Sequence, residues 1–151
     1  MLFRSEGTGA ASIGKSTILA VNHGTNMVSI INKVNPTAGV IPIKIASTTA
    51  QGNLGIYTND AVRQALEWVV TNRVKYNIVA VSVSQGRIFN NCYVPAGTVE
   101  AVKSLKANNV PVIAAAGNDG NKTQMHSIAC LPDVISIGAT DNPDPGITKQ
   151  A

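Results

Sequence analysis

Four short apolar runs recur along the chain: GVIPIKIA (39–46), NIVAVSVSQG (77–86), VPVIAAAGNDG (110–120) and LPDVISIGATD (131–141). Runs of this length bounded by turn residues suit buried strands of a parallel sheet. Two stretches with helical periodicity separate the first three runs. In residues 58–74 a capping Thr58 or Asn59 and an early Asp60 precede a stripe of Val62, Ala65, Leu66, Val69 and Val70. Before the third run, Val99, Val102 and Leu105 share one helical face, stopping at Asn108 and Asn109. Strand, helix, strand, helix, strand is the order of right-handed crossovers. The expected fold class is α/β, a doubly wound parallel sheet with helices on both faces.

Within that frame the third run is unusual. Ala114, Ala115 and Ala116 are smaller than core packing alone favours, and they lead into Gly117 and Asn118. Small side chains leave room for something to lie against the strand, and carboxyl ends of strands are where open α/β sheets bind ligands. An ordinary Asn-Asp-Gly turn after a core strand is the plainer alternative. The tips Ser84 to Gly86, Gly117 to Asn118 and Gly138 to Thr140 are expected to gather along one edge.

Upstream, NHGTNMVSIINKVNP (22–36) reads as a helix capped by Asn22 or Thr25, with Met27, Val28, Ile30, Ile31 and Val34 on its apolar face and Pro36 beyond its end. His23 falls at the start of this helix, outside the stripe. By itself it is an ordinary structural or solvated histidine.

Gly9, Gly14, Lys15 and Ser16 fit the G-x-x-x-x-G-K-[ST] phosphate loop. That loop should follow a buried strand, yet RSEGT precedes Gly9, and VAVSVS ends on Ser84 and Gln85 rather than on a magnesium-binding aspartate. A flexible Gly/Ser loop is the better reading. Charged residues make up only 13% of the 151, a sparse surface for a free-standing domain, which favours a piece of something larger. The net charge of +4 comes from scattered basic residues, so no nucleic-acid stripe is expected. No apolar run is long enough for a membrane span, and MLFRSEGTGAAS lacks the apolar core of a signal peptide. Cys92 and Cys130 leave open one bridge or two thiols.

Taken together, several blocks resemble one family, the subtilisin-like serine proteases. His23-Gly24-Thr25 before a helix is similar to its catalytic-histidine motif, VSVSQG to its substrate-binding strand, and AAAGNDG to the segment carrying its oxyanion-hole asparagine. ALEWVVTNRVKYNI and LPDVISIGATD match in order and approximate spacing. The resemblance implies a partial peptidase domain over 22–141, with 1–21 a flexible N-terminal segment and 142–151 an unfinished C-terminal loop. It implies peptide-bond hydrolysis by acyl transfer, with His23 and Asn118 catalytic. Ser84, Gln85 and Gly86 would bind an extended polypeptide substrate, and Ala115, Ala116 and Gly117 would wall its main pocket. Secretion is implied too. No cofactor, metal, nucleic acid or membrane is expected as a partner, and no acidic cluster suggests calcium.

The departures are equally definite. The family's order is Asp, His, Ser, yet the only acid before His23 is Glu6, and no G-T-S-like elbow occurs anywhere in the chain. As written, the chain should not cleave peptides. Asn26 replaces a usual histidine, and Gln85 makes one subsite more polar. Three functions stand as expectations: an endopeptidase domain seen as an incomplete segment, a catalytically dead remnant that keeps a peptide groove, and a phosphate-loop NTPase. Because Cys92 and Cys130 each flank a neighbouring strand, they are expected within bridging reach.

Overall fold

The computed structural model describes residues 2–5, 23–48, 54–57 and 59–139. The Gly9 to Ser16 loop, the caps proposed at Asn22 and Thr58, and Thr140 with the C-terminal loop lie outside the described residues. The elements in chain order are β1 (Leu2–Ser5), α1 (His23–Val34), β2 (Ala38–Ile41), β3 (Ala46–Thr48), β4 (Leu54–Tyr57), α2 (Asn59–Asn72), β5 (Ile78–Val83), α3 (Ala96–Ala107), β6 (Val112–Ala115) and β7 (Val134–Ile137). The fold is α/β. Its main sheet runs β2-β1-β5-β6-β7, and β3 with β4 forms a separate antiparallel pair.

The parallel part consists of β5, β6 and β7, in the register Val81 to Val112 and Val112 to Val134. These are three of the four runs read as strands. The first run behaves differently, splitting into β2 and β3 around residues 42–45. Pro42 accounts for the break, since it has no amide hydrogen for a ladder bond. A strand also precedes Gly9, where the sequence suggested none. β1 lies between β2 and β5 and is antiparallel to both. Four residues are too few for a periodicity argument, so backbone pairing carries this strand. Opposite Phe3 and Arg4 the register skips from Ala80 to Ile78, which makes Val79 the extra residue of a bulge. Ile78 and Val81 are therefore both buried although three positions apart, and Val79 is exposed.

The core gathers Val62, Leu66 and Val69 of α2, Ala101, Val102 and Leu105 of α3, and Val81, Val112, Ala114 and Val134 of the strands. The α2 stripe is largely as periodicity suggests. On α3 the buried face shifts toward Thr98 and Ala101, leaving Val99 at its margin. On α1 only Val28 is fully buried, while Ile30 and Val34 are exposed. That helix ends as expected, before Pro36: the Asn35 amide donates to Ile31 O, and the Asn35 side-chain oxygen accepts from Thr37 N and Oγ1. Ile135 and Ile137, on the sheet face away from the core, stay half exposed at 50% and 52%.

On the surface of α2, Arg63 bridges Asp60 and Glu67, and Gln64 also donates to Asp60. The Arg63 guanidinium, by hydrogen bond above all, holds the Asp60 carboxyl below its ordinary range.

No helix is described between β6 and β7. Residues 116–133 cross instead as an irregular segment whose Ile128 and Ala129 enter the core. Ile128 has φ of 71°, a left-handed conformation that a branched residue adopts only when its surroundings impose it. Part of that constraint is covalent. Cys92 and Cys130 form a disulfide, with Cα atoms 5.8 Å apart and a sequence separation of 38. A loop of that length corresponds to roughly 4 kcal/mol of chain-entropy stabilisation. The double variant Cys92→Ser, Cys130→Ser is expected to unfold at lower urea, with about 2 to 4 kcal/mol lost.

Thr98 is 1% exposed, and its Oγ1 has no hydrogen-bond partner among the described residues. A buried hydroxyl without a partner keeps its desolvation cost, which a methyl of the same shape removes. Thr98→Val is expected to raise stability by about 1 kcal/mol in urea unfolding, whereas Thr98→Ser, which keeps the hydroxyl and deletes the methyl, lowers it.

Candidate functional site

Because β5 and β6 are adjacent and parallel, the residues that leave them emerge side by side at the carboxyl edge of the sheet. Ser84, Gln85 and Gly86 follow β5, and Ala116, Gly117 and Asn118 follow β6. The ladder continues past β6, where the Ala116 amide donates to Ile137 O at 2.9 Å. The three alanines divide by strand alternation. Ala114 is buried in the core at 2%, while Ala115 faces outward and is exposed, and Ala116 is half-buried. Gly117 has φ of 128°, which only glycine adopts readily, and it turns the chain so that Asn118 stands exposed.

α1 brings His23 to this edge. Its Nε2 lies 3.0 Å from the carbonyl oxygen of Ser84, a contact that spans 61 positions in sequence. A carbonyl can only accept, so Nε2 carries the hydrogen and donates it. Beside the ring is a cavity of about 110 Å³, lined by His23, Met27, Leu66, Val81, Val83 and Gln85 among others. The imidazole thus has a polar edge toward the β5 tip and an apolar hollow next to it.

Two side chains that the sequence reading did not single out complete the edge. His126 contacts both tips: a Cβ built on Gly86 would sit 2.7 Å from His126 Cβ, and one on Gly117 would sit 2.5 Å from its Cδ2. Its Nε2 is hydrogen-bonded to the Asp119 carboxylate. The backbone is fastened to both strands' exits as well. His126 N donates to Ala116 O and Ser127 N donates to Arg87 O, each at 2.8 Å. A second histidine in an irregular segment carries no periodic signal. The two glycines opposite each other across the tips were the available clue.

Among the described residues no group of three or more histidine, cysteine, aspartate or glutamate side chains is placed to hold a metal ion. No described helix is long and apolar enough to cross a membrane.

Comparison with known proteins gives this edge its context. The Subtilase family profile matches residues 11–149. Subtilisin DY of Bacillus licheniformis is 24% identical over 146 residues, covering 93% of this chain and 46% of that protein. An extracellular serine proteinase of Thermus sp. (strain Rt41A) is 28% identical over 147 residues, covering 92% of this chain and 32% of that one. The chain therefore spans less than half the length of these relatives. Among solved structures, the prenylagaramide maturation protease PagA is similar with a TM-score of 0.51 and 30% identity, over 57% of this chain and 30% of that chain. With the family profile spanning nearly its whole length, the chain belongs to the subtilase family of serine proteases.

Proposed function

We propose that this chain is the histidine- and asparagine-bearing part of a serine endopeptidase domain, with His23 as general base and Asn118 as oxyanion donor. The reading rests on the bond from His23 to the Ser84 carbonyl. It ties residue 23 to the tip of β5, next to the tip that ends in Asn118. Ser84, Gln85 and Gly86 would pair with an extended polypeptide as an added strand does, and Ala115, Ala116 and Gly117 would wall the adjoining side-chain pocket.

In the reaction a serine hydroxyl attacks the scissile carbonyl, His23 Nε2 takes the hydroxyl proton, and the same nitrogen returns it to the leaving amine. The Asn118 amide donates to the oxyanion that forms. His23 cannot begin this cycle while its Nε2 hydrogen is given to Ser84. The base needs Nε2 bare and the hydrogen on Nδ1, a tautomer that a carboxylate facing Nδ1 selects. The sequence has neither a family-like aspartate before His23 nor a G-T-S elbow. Both the tautomer and the nucleophile must then come from residues beyond these 151, and the chain alone should not hydrolyse peptides. Export of the protein is part of the reading. Its Thermus relative is named as extracellular, and the Cys92–Cys130 disulfide suits an oxidising compartment.

The absence of those two motifs from the sequence also supports a second reading, a subtilase remnant that keeps a groove without catalysis. Coding sequence on either side distinguishes them: an in-frame D-[ST]-G upstream and G-T-S downstream belong to the enzyme, stop codons to the remnant. The nucleotide-binding reading of Gly9 to Ser16 has less support, because β1 runs antiparallel to its neighbours whereas a phosphate loop follows a parallel strand.

For the enzyme, full-length protein carrying His23→Ala is expected to lose peptide hydrolysis to background. Asn118→Ala should lower kcat by about a hundredfold to a thousandfold with KM little changed, a magnitude taken over from subtilisin itself. Hydrolysis that survives His23→Ala at the native rate would end this reading.

A further inference from the structure

We infer that His126, held by Asp119, is a specificity-determining residue that closes the side-chain pocket between the two strand tips and restricts it to small residues. The inference rests on the peptidase reading above and deepens it by naming the substrate class. Gly86 and Gly117 belong to the segments proposed to bind substrate, and the His126 ring occupies the space between them. Its Cβ side abuts Gly86 and its Cδ2 edge abuts Gly117, so closely that neither position could carry even a methyl group without displacing the ring.

The ring is not free to swing aside. Its backbone is tied to the β6 tip through Ala116 O and to the β5 exit through Arg87 O, bonded by the adjacent amides of His126 and Ser127. Four residues on, Cys130 N donates to His126 O at 3.1 Å, and Cys130 is itself anchored by the disulfide. The Asp119 carboxylate accepts from Nε2 and fixes the ring plane. The His126 side chain is accordingly only 15% exposed, while Asp119, at 55%, remains open to solvent.

Against the ring lies a cavity of about 150 Å³ whose walls include Ala116, Gly117, Asp119, Gln124, Met125 and His126. The imidazole thus takes up volume between Gly86 and Gly117 and beside a cavity that Ala116 and Gly117 also line. A side chain no larger than alanine or serine fits in front of an intact imidazole. An aromatic or long aliphatic one needs the ring's own volume.

The test uses full-length protein and tetrapeptide amides that differ only in the residue before the cleaved bond, alanine against phenylalanine or leucine. The wild type should favour alanine by roughly tenfold or more in kcat/KM, the scale on which a pocket rejects excess volume. His126→Gly frees the volume that the ring holds between Gly86 and Gly117, and should shift the phenylalanine-to-alanine ratio upward by at least roughly tenfold. Asp119→Asn, which keeps the ring and weakens its hold, should shift it in the same direction by less. A wild type that prefers phenylalanine or leucine overturns the inference and leaves the protease reading intact, and so does a His126→Gly enzyme with an unchanged ratio. The wild-type preference is measured independently of whether any variant folds. If the wild type cleaves none of the peptides, the protease reading fails, and the pocket is judged by binding. Acetylated tripeptides ending in alanine or phenylalanine are titrated while the Gly86 and Gly117 amide resonances are followed. Shifts with the alanine peptide alone support the pocket assignment, and equal shifts or none overturn it.

Discussion

β6 returns to β7 without a helix, and the way it does so determines the whole carboxyl edge of the sheet. A parallel pair needs a crossover, and in most α/β units the crossover helix covers the sheet and sets the spacing. Here an irregular segment has that task, and its placement comes from a few specific attachments. Two adjacent amides, of His126 and Ser127, donate to carbonyls on the exits of two different strands. Ser136 Oγ donates to Ala129 O, tying the segment to β7. Ile128 and Ala129 fill the core position that a helix face would occupy, at 5% and 1% exposure. The left-handed backbone at Ile128 costs on the order of 1 to 2 kcal/mol, an amount that the disulfide and the burial of the isoleucine can outweigh.

This division between regular and irregular parts explains what the sequence revealed. The β5, β6 and β7 runs were legible because each is a short apolar stretch between turn residues. The parallel order of β5 and β6 followed from the helix between them, whereas β6 and β7 have none among the described residues. Residues 39–46 looked like another such run, but Pro42 interrupts the ladder there. β1 left no trace, because four residues give neither period nor bulk to recognise. The helix faces were legible in phase and less so in width. On α1 the pattern marks five apolar residues and the packing fully buries only Val28, since the partners available to that helix cover a narrow strip. His126 was hidden for a different reason: its position depends on main-chain bonds from its own amide to Ala116, 10 positions away, and from the next amide, Ser127, to Arg87, 40 positions away, which no local pattern encodes.

Burial is also uneven across the sheet. Val112, Ala114 and Val134 point into the core, while their alternates Ile135 and Ile137 remain half exposed. Buried parallel strands carry apolar residues on both faces because both are normally covered. The same strands therefore have the composition of a two-sided sheet and, among the described residues, the packing of a one-sided one. This agrees with a chain that spans less than half the length of its relatives.

The edge that carries His23, Asn118 and His126 owes little to the motifs absent from the sequence. His23 is positioned by a backbone carbonyl, the β6 tip by the Ala116 bond to Ile137 O, and His126 by Ala116 O and the Asp119 carboxylate. None of these attachments uses a catalytic carboxylate or serine. On the proposed reading, groove and chemistry are separable, since main-chain bonds and strand register hold the edge that would receive the substrate. A nucleophile and a carboxylate supplied to that edge would then have only to reach it, the carboxylate accepting from Nδ1–H and so favouring the tautomer with Nε2 bare. The register of β5 against β6 already sets how the two strand tips stand relative to each other.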